Sequence, residues 1–122
     1  MVLCDTNILI NLFNGNEATR LSLNNIGLDN IAISDITVME LYQGMGNKAE
    51  LLQMKKKLRF YDSIQIDIQT SVLATELIEK FRLSQGLQIP DAIIGATAII
   101  HQIPLFTYNI KDFNFMPGLQ LL

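Results

Sequence analysis

Short apolar runs alternate with stretches of helical periodicity along the whole chain, and that alternation limits the possible fold more than any other feature. Residues 2–4 read as a buried strand. The pattern then predicts a helix over 6–13, stopped by Asn14-Gly15, and a short helix over 17–25 ending at Gly27. Residues 30–33 read as a second strand. Ser34 follows as an N-cap, with Asp35 a favourable negative charge in the first turn. That helix carries Ile36, Met39, Glu40 and Tyr42 and ends near Gly44-Met45-Gly46. Another, over 48–59, carries Leu51, Leu52, Met54 and Leu58. Residues 63–66 read as a third strand and Asp67 as an N-cap. The long helix to about Gln85 sets Val72, Leu73, Leu77, Ile78 and Phe81 on one stripe, and Gly86 closes it. Pro90 precedes a last helix over 91–101, residues 105–107 read as a strand, and 119–121 as an edge strand. This spacing predicts an α/β fold: a three-layer α/β/α sandwich around a mostly parallel sheet.

The 122 residues make one domain, 1–122, long enough to bury a core without staples. Hydrophobic residues are 49% and charged residues 17%, an apolar excess that points to a covered face, concentrated at 8–13 and 36–54. A single cysteine, Cys4, excludes an intrachain disulfide and fits a reducing, cytoplasmic setting. No signal peptide is expected, and no apolar run reaches membrane-spanning length.

Four acids stand beside apolar runs, where a lone carboxylate is costly to desolvate: Asp5, Glu40, Asp91 and Asp112. In parallel α/β sheets, ligands sit at the carboxyl ends of the strands. Asp5 directly follows the first strand. Glu40 lies in the second turn of the helix after the second strand, and Asn109 and Asp112 follow the 105–107 strand. Asp91 opens a helix and reaches the same edge if that helix points its N-terminus there. Singly, Asp5 and Asp91 also read as helix-start residues and Asp112 as a turn residue. Glu40, amid Val38, Met39 and Leu41, is harder to read as a solvated surface acid.

Carboxylates brought together repel. At ~4 Å and an effective dielectric of about 20, each pair costs roughly 4 kcal/mol, which a bound divalent cation removes. All-oxygen ligands without His or Cys favour Mg²⁺ or Mn²⁺. The only histidine, His101, falls near a helix end and is given no metal role. Such a site suits metal-assisted chemistry on phosphates, with one carboxylate free to act as general base. The net charge of −3 argues against nucleic acid when taken alone. Setting the four acids aside leaves the remainder slightly positive, and Lys55, Lys56, Lys57 and Arg59 fall in one segment. That run reads as a solvated helix face, or else as a patch for RNA phosphates.

The strings Leu3-Cys4-Asp5-Thr6-Asn7, Glu40-Leu41-Tyr42-Gln43-Gly44, Pro90-Asp91-Ala92 and Thr107-Tyr108-Asn109-Ile110-Lys111-Asp112-Phe113 resemble the PIN-domain family, and within it the VapC toxins of toxin–antitoxin pairs. The likeness spans nearly the whole chain in the family's order. It implies a PIN-like fold and a Mg²⁺- or Mn²⁺-dependent endoribonuclease, usually a homodimer, held inactive by a cognate antitoxin. By that likeness Asp5 and Asp91 are the main metal ligands, and Glu40 completes the site by metal binding or water activation. Thr6, Asn7, Thr107 and Asn109 line it. Some PIN nucleases carry an acid where this chain has the neutral Asn109. Asp112 either takes that fourth catalytic place or only caps the turn before Phe113.

Two phosphoryl-transfer folds compete for Asp5. A haloacid-dehalogenase-type phosphatase needs a second Asp two residues on, where this chain has Asn7. A response-regulator receiver needs paired acids after the first strand and a phosphoacceptor at the third, which is followed only by Asp67. The remaining alternative is a catalytically inactive PIN-like module that binds metal or RNA.

Overall fold

The computed structural model describes all of residues 1–122. Four strands, β1 (Val2–Cys4), β2 (Ile31–Ser34), β3 (Asp62–Ile64) and β4 (Leu105–Phe106), form one sheet in the order β3-β2-β1-β4. Every pairing is parallel, with Leu3 beside both Ala32 and Leu105. The connecting helices are α1 (Thr6–Phe13), α2 (Glu17–Ile26), α3 (Asp35–Gln43), α4 (Lys48–Leu58), α5 (Ile68–Gln85) and α6 (Ile89–His101). No helix is long and apolar enough to cross a membrane.

Strand alternation divides the interior into two cores, one on each face of the sheet. Leu3, Ala32 and Leu105 face Ala74 and Leu77 of α5 and Ala92, Ala96 and Ala98 of α6, with Phe113 and Met116 from the C-terminal segment. Cys4, Ile31 and Ile33 face Ile8 and Leu9 of α1, Leu23 of α2, Leu41 of α3, and Met54 and Leu58 of α4. The three layers predicted from the alternation are therefore present. Cys4 is a buried core thiol whose pKa burial pushes up to about 12, so it stays protonated and inert.

Several boundaries and faces differ from expectation. The third strand covers 62–64 rather than 63–66, because it is an edge strand paired only with β2. β4 ends at Phe106, which releases Thr107 to bond through its side chain. Residues 119–121 form no strand: a single bridge joins Leu105 to Leu121. Pro90 lies inside the first turn of α6, where its missing N–H costs nothing, so the helix starts at Ile89 and not at Asp91. Val72, Leu51 and Leu52 are exposed, whereas the other expected residues face inward: Leu77 is buried with Leu73, Ile78 and Phe81 packed against the same core on α5, and Met54 and Leu58 are buried on α4. Short 3₁₀ turns form at Leu28–Asn30 and Ile110–Asp112, and the first of them takes Asn30 out of the second strand, which covers 31–34 rather than 30–33.

Phe113 has no exposed surface and anchors the turn that carries Asn109 and Asp112. Phe113→Ala should cost about 3–5 kcal/mol through the cavity it leaves. Urea denaturation checks this, and an unchanged midpoint would show that the turn is held by other contacts.

Candidate active site

Because all strands are parallel, their carboxyl ends lie along one edge, and Asp5 stands on it directly after β1. Its backbone N–H donates to the carbonyl of Phe106 at 3.0 Å, tying it to the end of β4. Its carboxylate is 3% exposed. Oδ1 accepts the Thr6 N–H at 2.8 Å, so Asp5 also caps α1. Oδ2 accepts the Thr107 hydroxyl at 2.8 Å, and that hydroxyl oxygen accepts the Asn109 N–H at 2.9 Å. Burial raises the Asp5 pKa and the nearby charges of Glu40 and Asp112 add to the rise, while the bonds from Thr107 and Thr6 oppose it. Capping and site membership, which the sequence offers as alternatives, coexist in this residue.

Glu40 comes to the same edge from α3. Its Oε1 accepts the Thr6 hydroxyl at 2.8 Å. The Thr6 oxygen lies 2.9 Å from the hydroxyl of Thr37, which is wholly buried. Thr37 was missed in the sequence. The signal was its position one helical turn before Glu40, on the same face of α3.

Asp91 sits in the first turn of α6, half-buried and without a hydrogen-bond partner in the chain. Its pKa rises to about 7, chiefly through burial and then through the charges of Asp5, Asp112 and Glu40. Asp112 is exposed on the 3₁₀ turn after β4, yet near enough to act on both Asp5 and Asp91. The four predicted acids thus share one electrostatic site. No cation neutralises them: the chain's one ion pair joins Arg20 to Glu17 on α2.

The other expected residues divide. Thr6 and Thr107 bond the acids directly. Asn109 contributes its backbone N–H, and no side-chain bond ties Asn7, which is exposed and accepts from the Asn11 amide through its carbonyl. Lys55, Lys56, Lys57 and Arg59 stand apart. None of them perturbs Asp5 or Asp91, and the α4 end leads into the start of β3, at the opposite edge of the sheet. There Lys57 lies 5.1 Å over the Phe13 ring and Arg59 5.3 Å over that of Phe60. His101 is exposed at the far end of α6 and its charge acts on Asp67.

The donor set fits a hard divalent cation. It is all oxygen, it is mutually repulsive, and none of its acids is ion-paired. No three His, Cys, Asp or Glu side chains close tightly enough to cage an ion. Mg²⁺ needs no such cage, since it keeps several waters and takes one or two carboxylates together with substrate phosphates.

The sequence pattern of the PIN domain matches residues 2–116. The chain belongs to the PIN-domain family. Within this PIN fold it is similar to VapC proteins: Ribonuclease VapC of Rickettsia bellii is 28% identical, over 99% of this chain and 94% of that protein. A toxin–antitoxin complex from Klebsiella pneumoniae contains a chain 35% identical to this one, with a TM-score of 0.80 over 98% of this chain and 95% of that one. VapBC2 from Rickettsia felis, bound to a DNA fragment from its promoter, is 28% identical with a TM-score of 0.80, covering 100% of this chain and 98% of that one.

A raised aspartate pKa opposes folding once the group must ionise. For Asp91 of this PIN domain the penalty is absent below the unfolded value near 4, grows as pH rises, and is complete above about 7. The size of the rise bounds it at about 4 kcal/mol, and water at the half-exposed carboxylate lowers it to about 1–2 kcal/mol. In EDTA, Asp91→Asn should therefore stabilise the fold at pH 8 and leave it unchanged at pH 4. Equal denaturation midpoints for both proteins at pH 8 would contradict the clustering of these charges.

Proposed function

We propose that this chain is a Mg²⁺- or Mn²⁺-dependent endoribonuclease that hydrolyses RNA phosphodiester bonds, and the toxin of a VapBC-type toxin–antitoxin pair. One observation carries the chemistry: four carboxylates from four separate segments meet at one sheet edge with none of them in an ion pair. The kinship to proteins named Ribonuclease VapC supports RNA as the substrate.

Asp5, Asp91 and Glu40 would hold the ion. Bound there, it would polarise a phosphate oxygen and make a coordinated water more acidic. The chain's own residues do the rest. Thr107 and the Thr6 N–H fix both oxygens of Asp5, so its carboxylate cannot swing away. Glu40 has one oxygen tied to Thr6, and its other takes no hydrogen bond from the chain. That free oxygen, or the exposed Asp112, would accept a proton from the water that forms the new P–O bond, and the leaving ribose oxygen would take up a proton from solvent as its own bond to phosphorus breaks. Asn109 holds the Thr107 oxygen through its N–H and so supports the Asp5 bond.

The antitoxin and the second copy of a homodimer are proposed from the toxin–antitoxin relatives and from the uncovered apolar surface. Ile10, Met39, Leu51 and Leu52 are 40–56% exposed, all within the two stretches whose composition exceeds the needs of one core.

Cleavage of a structured-RNA pool with Mg²⁺, Mn²⁺ or EDTA tests the reading. Cleavage should require metal, and Asp5→Asn should lower it at least about 10²-fold without loss of fold. Turnover by Asp5→Asn equal to that of the unaltered chain would remove the nuclease assignment, and no cleavage in any metal by partner-free protein would favour a binding module. Lys55, Lys56 and Lys57, remote from the acids, would attract the RNA backbone. Changing all three to Gln should flatten the plot of log affinity against log salt by up to about 2. An unaltered slope would return the run to a solvated helix face.

A further inference from the structure

Thr37 has no place in the chemistry above, yet it is fully buried beneath the site and its hydroxyl lies 2.9 Å from that of Thr6. Proton counting fixes the direction of the bond. Each threonine hydroxyl has one proton. Thr6 gives its proton to Oε1 of Glu40, at 2.8 Å. The Thr6 oxygen can then only accept, so Thr37 donates to it. Thr6 is itself pinned, since its N–H donates to Oδ1 of Asp5. One residue therefore holds both acids, and the second hydroxyl sets which way its proton points.

We infer that Thr37 is a positioning residue: its buried hydroxyl donates to Thr6 Oγ1, commits the Thr6 proton to Glu40, and so holds the other oxygen of Glu40 ready for cation or water. The chain is Thr37 O–H to Thr6 O–H to Glu40 Oε1. It parallels the Asn109 N–H to Thr107 O–H to Asp5 Oδ2 chain on the other side of the site. In each, a threonine hydroxyl receives one proton and gives another, and successive bonds of this kind reinforce one another. Without Thr37, the Thr6 hydroxyl turns freely about its C–O bond and Glu40 loses its fixed rotamer. Groups that orient a metal-binding carboxylate from behind matter to affinity and rate although they touch neither ion nor substrate.

This role rests on the nuclease reading for its activity readout and not for its others. Thr37→Val keeps the shape and deletes the donor, while Thr37→Ser keeps the donor. Mn²⁺ binding followed by electron paramagnetic resonance should weaken about 10-fold or more in Thr37→Val and recover in Thr37→Ser. At saturating Mn²⁺, turnover should still fall while KM for RNA moves little, because the ion is then in place and only the orientation of Glu40 is lost. A purely structural Thr37 would lower the thermal midpoint and leave Mn²⁺ affinity alone, and that result overturns the proposal. Should Thr37→Val fail to fold, NMR of the unaltered protein decides: a protected Thr6 hydroxyl proton correlated with Glu40 supports the chain, and its absence overturns it. If the unaltered protein binds Mn²⁺ but cuts no RNA, the nuclease reading fails and the Mn²⁺ affinities still judge Thr37. If it binds no Mn²⁺, both fall.

Discussion

Four carboxylates occupy one edge of a parallel sheet, and none of them is held in an ion pair, although Lys111 neighbours Asp112 on its turn. The fold tolerates this through donors that are themselves neutral. Asp5 is held by an amide and a hydroxyl, and Glu40 by a hydroxyl. Three helices also begin at this edge, α1 capped by Asp5, α3 capped by Ser34 and α6 with Asp91 in its first turn. Their N-terminal dipole ends favour negative charge. Half-buried Asp91 and exposed Asp112 receive no hydrogen bond, and the affinity of Asp91 for a proton is raised, to a pKa of about 7. Burial first, and the neighbouring charges second, make its ionised form costly, a cost that a cation would relieve on the proposed reading.

Bringing Asp91 to that edge depends on how closely α6 can lie in its core. Its buried residues are Ala92, Ile94, Gly95, Ala96, Thr97 and Ala98, all small but Ile94, with the Thr97 hydroxyl turned back onto the Ile93 carbonyl at 2.7 Å. A Cβ at Gly95 would come within 2.2 Å of the Met116 sulfur. Small residues on α6 leave that space to the C-terminal segment. Phe113 and Met116 fill it, and they fasten the turn bearing Asn109 and Asp112. One packing arrangement therefore sets the positions of two of the four acids.

The fold class was readable because burial patterns are local. Leu3 against Cys4 and Ala32 against Ile33 alternate between two cores, as the strand period requires. Element faces were less readable. Leu51, Leu52 and Val72 are as apolar as their buried neighbours, and only the three-dimensional packing decides which of them face water. The acids of the candidate site were legible from their places beside apolar runs, Asp5, Glu40 and Asp112 after strands and Asp91 at a helix start. The hydroxyls behind them were not all legible: Thr6 and Thr107 lie inside recognisable strings, whereas Thr37 looks like any threonine on a helix. Its meaning appears only once Thr6, 31 residues away in sequence, is set against it. Asp112 was ambiguous because exposure and charge compete there. It is exposed as a turn residue would be, and it nonetheless acts on Asp5 and Asp91.

The separation of charge across the sheet bears on how a polyanion could approach. The acids lie at the carboxyl edge, while the cations of α4 lead into the opposite edge, some of them against the Phe13 and Phe60 rings. A phosphate arriving at the bare site would meet a negative field in a partly buried setting, where screening by salt is weak. Attraction by α4 acts on the far side and does not cancel that field locally. On the proposed reading, the divalent ion has an electrostatic task before any chemical one: it must reverse the sign of the potential at Asp5 and Asp91 so that the scissile phosphate can enter. A loss of metal, or of Glu40 as one of the groups that would hold it, would then weaken RNA binding at the site as well as the chemical step.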